Sequence, residues 1–263
     1  MKNSVILFIG LILGACSVSE DPDLEPSTDN ESRLQELLVE ADRIMSLPTS
    51  SPDGRLKMVK NSISTSDIYY PTDESFSYSV LKDANLDTVG ITLSYFNDEQ
   101  VQTRHSISFE NGAAYKWSTF EYVYTPESLL DEIYSSNSNM QRRLLGKYHY
   151  DSQNLLIKIE YPYENGAELL IYENDEFNRI ANEWKTVKGQ DNHILDYLVY
   201  RYDGELLVAK ESGTNGSNSD EREDAFQYFY DSQGKLIMAK EFDPYFGFQQ
   251  KEKLEYFYYG EDN

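Results

Sequence analysis

A segment of nine residues recurs through the second half of the chain, and this repeat limits the fold more than any other feature. Its clearest copy, Tyr-Phe-Tyr-Asp-Ser-Gln-Gly-Lys-Leu, occupies residues 228–236. Related copies begin at Tyr122, Tyr148, Tyr172, Tyr200 and Tyr256. The six starts are separated by 26, 24, 28, 28 and 28 residues. Self-similarity with such a period predicts an array of small supersecondary units.

The residues of one copy predict a β-hairpin. Its two tyrosines are separated by one residue, so they lie on the same face of a strand. The aspartate accepts hydrogen bonds from turn amides, and the glycine or asparagine after it tolerates a positive φ. A leucine or isoleucine then begins the return strand. The predicted turn residues are Asp151, Asn154, Asp175, Asn178, Asp203, Gly204, Asp231 and Gly234.

Strand patterns also precede the repeats. Residues 76–80 alternate apolar and polar side chains, and Asn111-Gly112 is typical of a two-residue hairpin turn. We expect residues 49–121 to contribute strands to the same sheet as the hairpin repeats at residues 122–263. The predicted fold is all-β, with one short N-terminal helix and an antiparallel meander of repeated hairpins. That meander is expected to form an open, curled, half-barrel-like sheet.

The copies resemble the tyrosine-aspartate (YD) repeats of Rhs-type and wall-associated bacterial proteins, and Bacteroidetes lipoproteins that carry such repeats. In the large Rhs proteins, many repeats wind into a hollow β-shell around a toxin. This chain has five and a half copies and no toxin-sized cargo region. The resemblance therefore implies an architecture and no particular activity.

Residues 31–48 predict an amphipathic helix. The apolar positions with helical spacing are Leu34, Leu37, Leu38, Ala41, Ile44 and Met45. Ser32 followed by Gln35 fits an N-terminal capping box, and Pro48 ends the segment. We expect the apolar stripe to pack on the chain's own sheet.

Residues 1–15 read as a lipoprotein signal peptide. Lys2 precedes a short apolar run at residues 5–13, which is too short for a comfortable membrane span. The sequence Leu13-Gly14-Ala15-Cys16 resembles the lipobox of bacterial lipoproteins, which implies cleavage before Cys16 and acylation of its thiol. The alternative is an ordinary signal peptide. Cys16 is the only cysteine, so the chain has no intrachain disulfide and no other thiol for catalysis.

Residues 16–30 predict a flexible tether after the lipidated cysteine. The segment is acidic, has two prolines and no basic residue, and buries too little apolar surface to fold alone. It also resembles the acidic surface-export signal of Bacteroidetes lipoproteins. The expected location is the outer membrane, on the cell surface or the periplasmic face, with the lipid as anchor.

The charge restricts the partners. The formal net charge of −23 repels the phosphates of nucleic acids. A protein or a glycan remains an expected partner, and the sequence suggests no cofactor and no metal site. Glu183 and Lys185 share one face of a return strand, which argues against a lipid-facing barrel wall.

No catalytic motif stands out, so no catalytic residue is assigned. His149 occupies the variable position between two repeat tyrosines and reads as a surface side chain. The leading hypothesis is a non-enzymatic, lipid-anchored interaction scaffold. A glycan-binding protein would require an exposed row of tyrosine rings, although repetition favours rings packed in a concave core. An enzyme using an unrecognised carboxylate would require an acidic pocket with raised pKa values.

Overall fold

A computed structural model describes residues 28–51, 55–72, 75–97, 100–138, 140–163, 166–189, 194–213, 222–243 and 249–258. The predicted signal peptide, Cys16 and most of the predicted tether lie outside the described residues.

The described chain consists of one helix followed by strands. The helix, α1, spans Thr28–Met45. The strands are β1 (Thr49–Ser50), β2 (Leu56–Lys60), β3 (Ser64–Pro71), β4 (Phe76–Asp83), β5 (Thr88–Asn97), β6 (Gln100–Glu110), β7 (Ala113–Tyr124), β8 (Leu130–Asn137), β9 (Met140–Tyr150), β10 (Leu156–Tyr163), β11 (Gly166–Asn174), β12 (Ile180–Val187), β13 (Ile194–Asp203), β14 (Leu206–Gly213), β15 (Arg222–Tyr230), β16 (Leu236–Asp243) and β17 (Gln249–Tyr258). The predicted all-β class with one short helix is confirmed.

The sheet is a closed barrel. Each strand from β2 to β16 pairs antiparallel with the next, and β17 returns to pair with β2. Sixteen strands therefore form a ring, and β1 adds to β3 beside it. The prediction of an open, half-barrel-like sheet is wrong. The strands before the repeats supply the missing arc, and closure pairs backbone groups that an open sheet would leave at its edges.

A recurrent β-bulge explains the strong curvature. The register shifts by one residue at the second tyrosine position of the repeats, beside each turn. These shifts lie at Val123/Tyr124, Glu173/Asn174, Arg201/Tyr202, Phe229/Tyr230 and Phe257/Tyr258. A bulge bends its strand and increases the local twist. Because the bulge recurs around the ring, it curves the meander enough for the sheet to close.

Helix α1 packs against strands β4 to β7. Leu37, Ala41 and Ile44 are almost fully buried, in one cluster with Leu93 and Ile107 of the sheet. Hydrophobic burial of this stripe holds the helix to the barrel, as its spacing predicts.

The N-terminal boundary of the helix differs from the prediction. Because α1 begins at Thr28, residues 28–30 are helical rather than part of the tether, and Ser32 lies inside the helix instead of capping it. The Asn30 side-chain amide donates to the Ser138 carbonyl oxygen of the barrel. This tertiary contact lies outside the reach of a local capping pattern.

The two faces of the wall differ. Cross-strand register places Tyr200, Lys210 and Phe226 opposite one another, so they share the face of the repeat tyrosines. On that face, side chains from five consecutive strands, β7 to β11, pack into one cluster that includes Phe120, Ile133, Tyr148, Ile159 and Leu170. Side chains converge over such a width on a concave face. The tyrosine face is therefore the inner face, which lines the lumen, and α1 lies on the outer face.

The outer face carries ion pairs between neighbouring strands. Lys147 of β9 contacts Glu132 of β8 at 2.7 Å, and Arg201 of β13 contacts Glu211 of β14 at 2.9 Å. Such partly exposed pairs add little stability one by one. They do make the outer wall polar along the repeats.

Candidate functional site

Three of the longer repeat turns share one aspartate hydrogen-bond pattern. Asp151 Oδ1 accepts from the backbone N–H groups of Gln153 and Leu155 at 2.8 and 2.9 Å. Asp175 and Asp231 make the same two bonds in their own turns. The residue three positions after each aspartate has a positive φ: 64° at Asn154, 61° at Asn178 and 79° at Gly234. Each turn is thus closed by its own aspartate.

The shorter turns are two-residue hairpins. Asp203 pairs with Leu206, and Gly204 between them has φ 56°. Asn111 and Gly112 have φ values of 51° and 77°, as a type I′ turn requires.

One further turn of the longer type escaped sequence analysis. Asp83, at the end of β4, accepts from the N–H groups of Asn85 and Asp87 at 2.9 and 3.0 Å. Leu86 takes the positive-φ position, at 68°. The repeat pattern was not recognised here because leucine occupies the positive-φ position and the tyrosine pair is absent. The one feature that could have predicted this turn is an aspartate at the end of a strand with alternating apolar and polar residues.

The second tyrosine of each repeat bonds to the preceding hairpin. The Tyr150 hydroxyl donates to the Leu130 carbonyl oxygen at 2.7 Å, and the Tyr202 hydroxyl donates to that of Ile180 at 2.9 Å. The same bond joins Tyr124 to Val101, Tyr230 to Leu207 and Tyr258 to Leu236. Asn174 replaces tyrosine in one copy, and its amide reaches Leu156. The hydroxyl is therefore a structural clamp between successive repeats.

The first tyrosines lie on the inner face. Tyr148 is 6% exposed, and none of the described repeat tyrosines is classed as exposed. Burial raises their pKa values above the ordinary range at Tyr148, Tyr172, Tyr200, Tyr228 and Tyr256. The rings pack into the concave wall, so the exposed row required by the glycan-binding alternative is not found among these residues.

The best candidate site is a polar cluster on this inner wall, centred on Glu183. The Tyr200 hydroxyl donates to Glu183 Oε2 at 2.6 Å. Burial, followed by this carboxylate, raises the pKa of Tyr172 and of Tyr200. On β10, burial and then Glu183 raise the pKa of Tyr161 to about 12. One carboxylate thus interacts with tyrosines from several neighbouring strands.

Lys210 lies over the ring of the tyrosine that binds this carboxylate. Its ammonium nitrogen is 4.5 Å from the centre of the Tyr200 ring and 5.7 Å from that of Phe226. Burial lowers the pKa of Lys210, and the Glu183 carboxylate acts in the opposite direction. Within the described chain, Lys210 makes no ion pair with a carboxylate. The sequence feature that could have indicated this site is a charged residue on the same strand face as the repeat tyrosines.

The lumen wall before the repeats is rich in hydroxyl groups. Thr92 Oγ1 lies 3.2 Å from Ser106 Oγ, and Arg104 Nε donates to Ser94 Oγ at 3.3 Å. The Arg104 guanidinium also lies 5.9 Å from the centre of the Tyr122 ring. The described inner wall therefore carries polar side chains on both arcs of the ring, beside the apolar cluster around Ile133 and Ile159.

The shifted carboxylates do not resemble catalytic acids. A hydrogen bond from a basic side chain is the largest cause that lowers the pKa of Glu40, Glu132, Glu160 and Glu255. Each described carboxyl group with a shifted pKa has a lowered one, whereas the carboxylate-enzyme alternative requires a raised pKa. Among the described residues, no three or more His, Cys, Asp or Glu side chains meet in a group that could hold a metal.

His149 is half-buried rather than a fully exposed surface residue. Its Nε2 atom lies 4.0 Å from Glu160 Oε2, and burial lowers its pKa. Lys188 already contacts that glutamate at 2.6 Å. The His149 Nε2 atom makes no hydrogen bond within the described residues, and the side chain lies among the ion pairs of the outer wall.

Fold and site together define a class: a closed antiparallel β-barrel with tyrosine hairpins along a large part of its ring. No family model matches the chain, and no curated protein matches it. Solved structures with some likeness include a TcdB2–TccC3–Cdc42 complex, with 13% identity over 66% of this chain and a TM-score of 0.32. Another is a Tc holotoxin pore from Photorhabdus luminescens, with 14% identity over 68% of this chain and a TM-score of 0.31.

The chain spans 9% and 11% of those two proteins. A porin-like protein from Bacteroides uniformis is 10% identical over 80% of this chain and the whole of its own, with a TM-score of 0.36. At these TM-scores the likenesses carry no argument about this chain.

Within the part that the structure describes, no helix has the length and apolar character needed to cross a membrane.

Proposed function

We propose that the protein is a non-enzymatic, lipid-anchored envelope protein whose closed barrel is a rigid scaffold for binding. The observation that carries this proposal is the clamped wall. A tyrosine or asparagine fixes each described repeat hairpin to the one before it, for example Tyr230 to Leu207. A wall held in this way presents its side chains in a fixed arrangement, which lowers the entropic cost of binding.

The polar outer wall supports contact with water rather than with lipid tails. Ion pairs such as Lys147–Glu132 and Arg201–Glu211 lie within the strands on that face. Charged groups on the lipid-facing side of barrel strands are costly, most of all near the middle of the membrane. The membrane attachment is therefore assigned to the acyl chains on Cys16, since its lipobox-like context provides an anchor that needs no spanning segment.

Protease accessibility on intact cells tests the location. A tagged full chain is compared with a Cys16→Ala variant, and palmitate incorporation is followed in both. We expect the parent protein to take up palmitate and to fractionate with the outer membrane, while the variant does neither. Equal membrane attachment of the two proteins would refute the lipid anchor. Shaving of intact cells then separates the cell surface from the periplasmic face.

The non-enzymatic role is tested separately on the purified protein. Specific turnover of any substrate, abolished by a single inner-wall substitution such as Glu183→Gln, would refute it.

A further inference from the structure

Lys210 lies on the inner face of the sheet and contacts no carboxylate among the described residues. Six described lysines contact a carboxylate directly, at 2.6 to 2.8 Å: Lys82, Lys147, Lys185, Lys188, Lys251 and Lys253. Lys210 instead lies over two aromatic rings on the inner face. An ammonium has three N–H donors, and two rings satisfy them only weakly. The group therefore retains donors for a ligand.

Glu183 provides the opposite charge nearby without neutralising Lys210 by contact. Its carboxylate accepts the Tyr200 hydroxyl at 2.6 Å, and the Lys210 ammonium lies 4.5 Å from the centre of the same tyrosine ring. The hydroxyl holds the carboxylate in place, so the positive and negative groups stay apart on one concave wall. Phe226 provides an apolar surface next to Lys210. Each of these four side chains is partly exposed, so solvent reaches them.

We propose that this part of the lumen binds a small zwitterion, of the α-amino-acid class. The ligand carboxylate receives an N–H from Lys210, and the ligand ammonium donates to Glu183. An apolar ligand side chain packs on Phe226 and the neighbouring tyrosine rings. The inference deepens the proposed scaffold role and rests on it.

The net charge of the protein favours this ligand class over a simple anion. At −23 the protein repels anions, and Glu183 repels them again at the site. A zwitterion has no net charge and presents one group to each side chain. A simple cation matches Glu183, but it faces repulsion from Lys210.

Calorimetric titration of the full chain, purified in detergent, tests the proposal. The probes are L-phenylalanine and L-leucine as zwitterions, 3-phenylpropionate as the anion and 2-phenylethylamine as the cation. We expect saturable binding of at least one zwitterion, and affinity at least about tenfold weaker for both singly charged probes. Equal affinity for 3-phenylpropionate, or no saturable binding of either amino acid, would overturn the proposal.

Variants identify the side chains. Lys210→Met and Glu183→Gln are each expected to reduce zwitterion affinity by about tenfold or more. Lys240→Met is the matched control, because Lys240 lies 5.2 Å from the Phe229 ring centre on the outer face. Circular dichroism and the melting temperature establish that each variant is folded, and Lys210→Gln replaces Lys210→Met if the latter does not fold. Undiminished binding by folded variants at both positions contradicts the proposal.

The titration and the cell experiment fail independently. Absence of zwitterion binding would leave the membrane location and the lipid anchor intact. Loss of the anchor would leave the inner-wall titration unchanged.

Discussion

The repeat uses its two tyrosines for different purposes. The first ring fills the concave wall, as at Tyr148, and the second places its hydroxyl on a carbonyl of the preceding hairpin, as at Tyr150. Alternation predicts that both rings share a face. Since the carbonyl partner lies 20 residues earlier in the chain, local sequence gives no sign of the hydroxyl bond.

Removal of one such hydroxyl should weaken the fold. In Tyr150→Phe, the 2.7 Å bond to Leu130 is lost and the ring remains. We expect the free energy of unfolding to fall by about 1 kcal/mol, measured by urea denaturation. Tyr115→Phe is the control, because Tyr115 is 56% exposed. Equal effects of the two substitutions would show that the hydroxyl bond adds no stability.

Leu86 is strained in the turn between β4 and β5. Its φ is 68° and its side chain is 73% exposed, so the strained backbone is offset by little packing. Leu86→Gly should stabilise the protein by about 0.5 to 1 kcal/mol, since relief of the left-handed conformation exceeds the entropy added by glycine. Denaturant midpoints give the comparison. Leu86→Ala retains the Cβ atom and should give no gain; a gain as large as that of glycine would rule out this cause.

At the scale of elements, α1 is fixed by a polar network as well as by its apolar stripe. The Tyr95 hydroxyl donates to Glu40 Oε1 of the helix at 3.0 Å, and the Tyr95 ring packs edge-on against His105. His105 Nδ1 lies 2.8 Å from Thr119 Oγ1. The helical spacing predicts the apolar contacts. The polar partners come from three strands whose register is a property of the assembled sheet.

This network should make helix docking sensitive to acid. Burial, followed by Arg33, lowers the pKa of His105 from 6.5 to about 4, so the folded protein keeps the imidazole neutral. In the unfolded chain the histidine protonates near pH 6.5. The stability contribution is therefore complete above about pH 6.5 and is lost as the pH falls towards 4. After allowance for solvent screening, the loss is about 1 to 2 kcal/mol.

Urea denaturation of the parent and of His105→Gln at several pH values between 7 and 4 measures this contribution. The two proteins have the same carboxylates, so the contribution of carboxylate titration cancels when their unfolding free energies are subtracted. We expect the difference in unfolding free energy to shift against the parent as the pH falls. A constant difference over the range would refute the role of His105.

For the whole molecule, the hairpins were predictable and the closure was not. A turn such as Asp231 to Gly234 is specified by adjacent residues, so the sequence reports it directly. Closure depends on bulges summed over the ring and on β2 meeting β17, which are far apart in the chain. The Glu183–Lys210 site was missed for the same reason. Both charges were visible in the sequence, but their approach follows from register across three strands.

The seam between β17 and β2 should control the association state. Truncation after Asp243 removes β17 and leaves β16 and β2 as unpaired edges. We expect this variant to self-associate and to lose cooperative unfolding, as measured by light scattering after size exclusion. Truncation after Tyr258, which keeps β17, is the matched control. A monomeric, cooperatively folding product of the first truncation would show that the seam is dispensable.

The clamp between successive hairpins also bears on how such a molecule changes over generations. Each described clamp reaches back to the hairpin before it. A duplicated repeat would therefore bring its own tyrosine hydrogen bond and its own β-bulge. Two more strands would enlarge the bore of a sixteen-stranded ring by about one eighth, since barrel diameter grows roughly in proportion to strand number. The diameter of such a barrel is therefore set by the number of repeats in the gene.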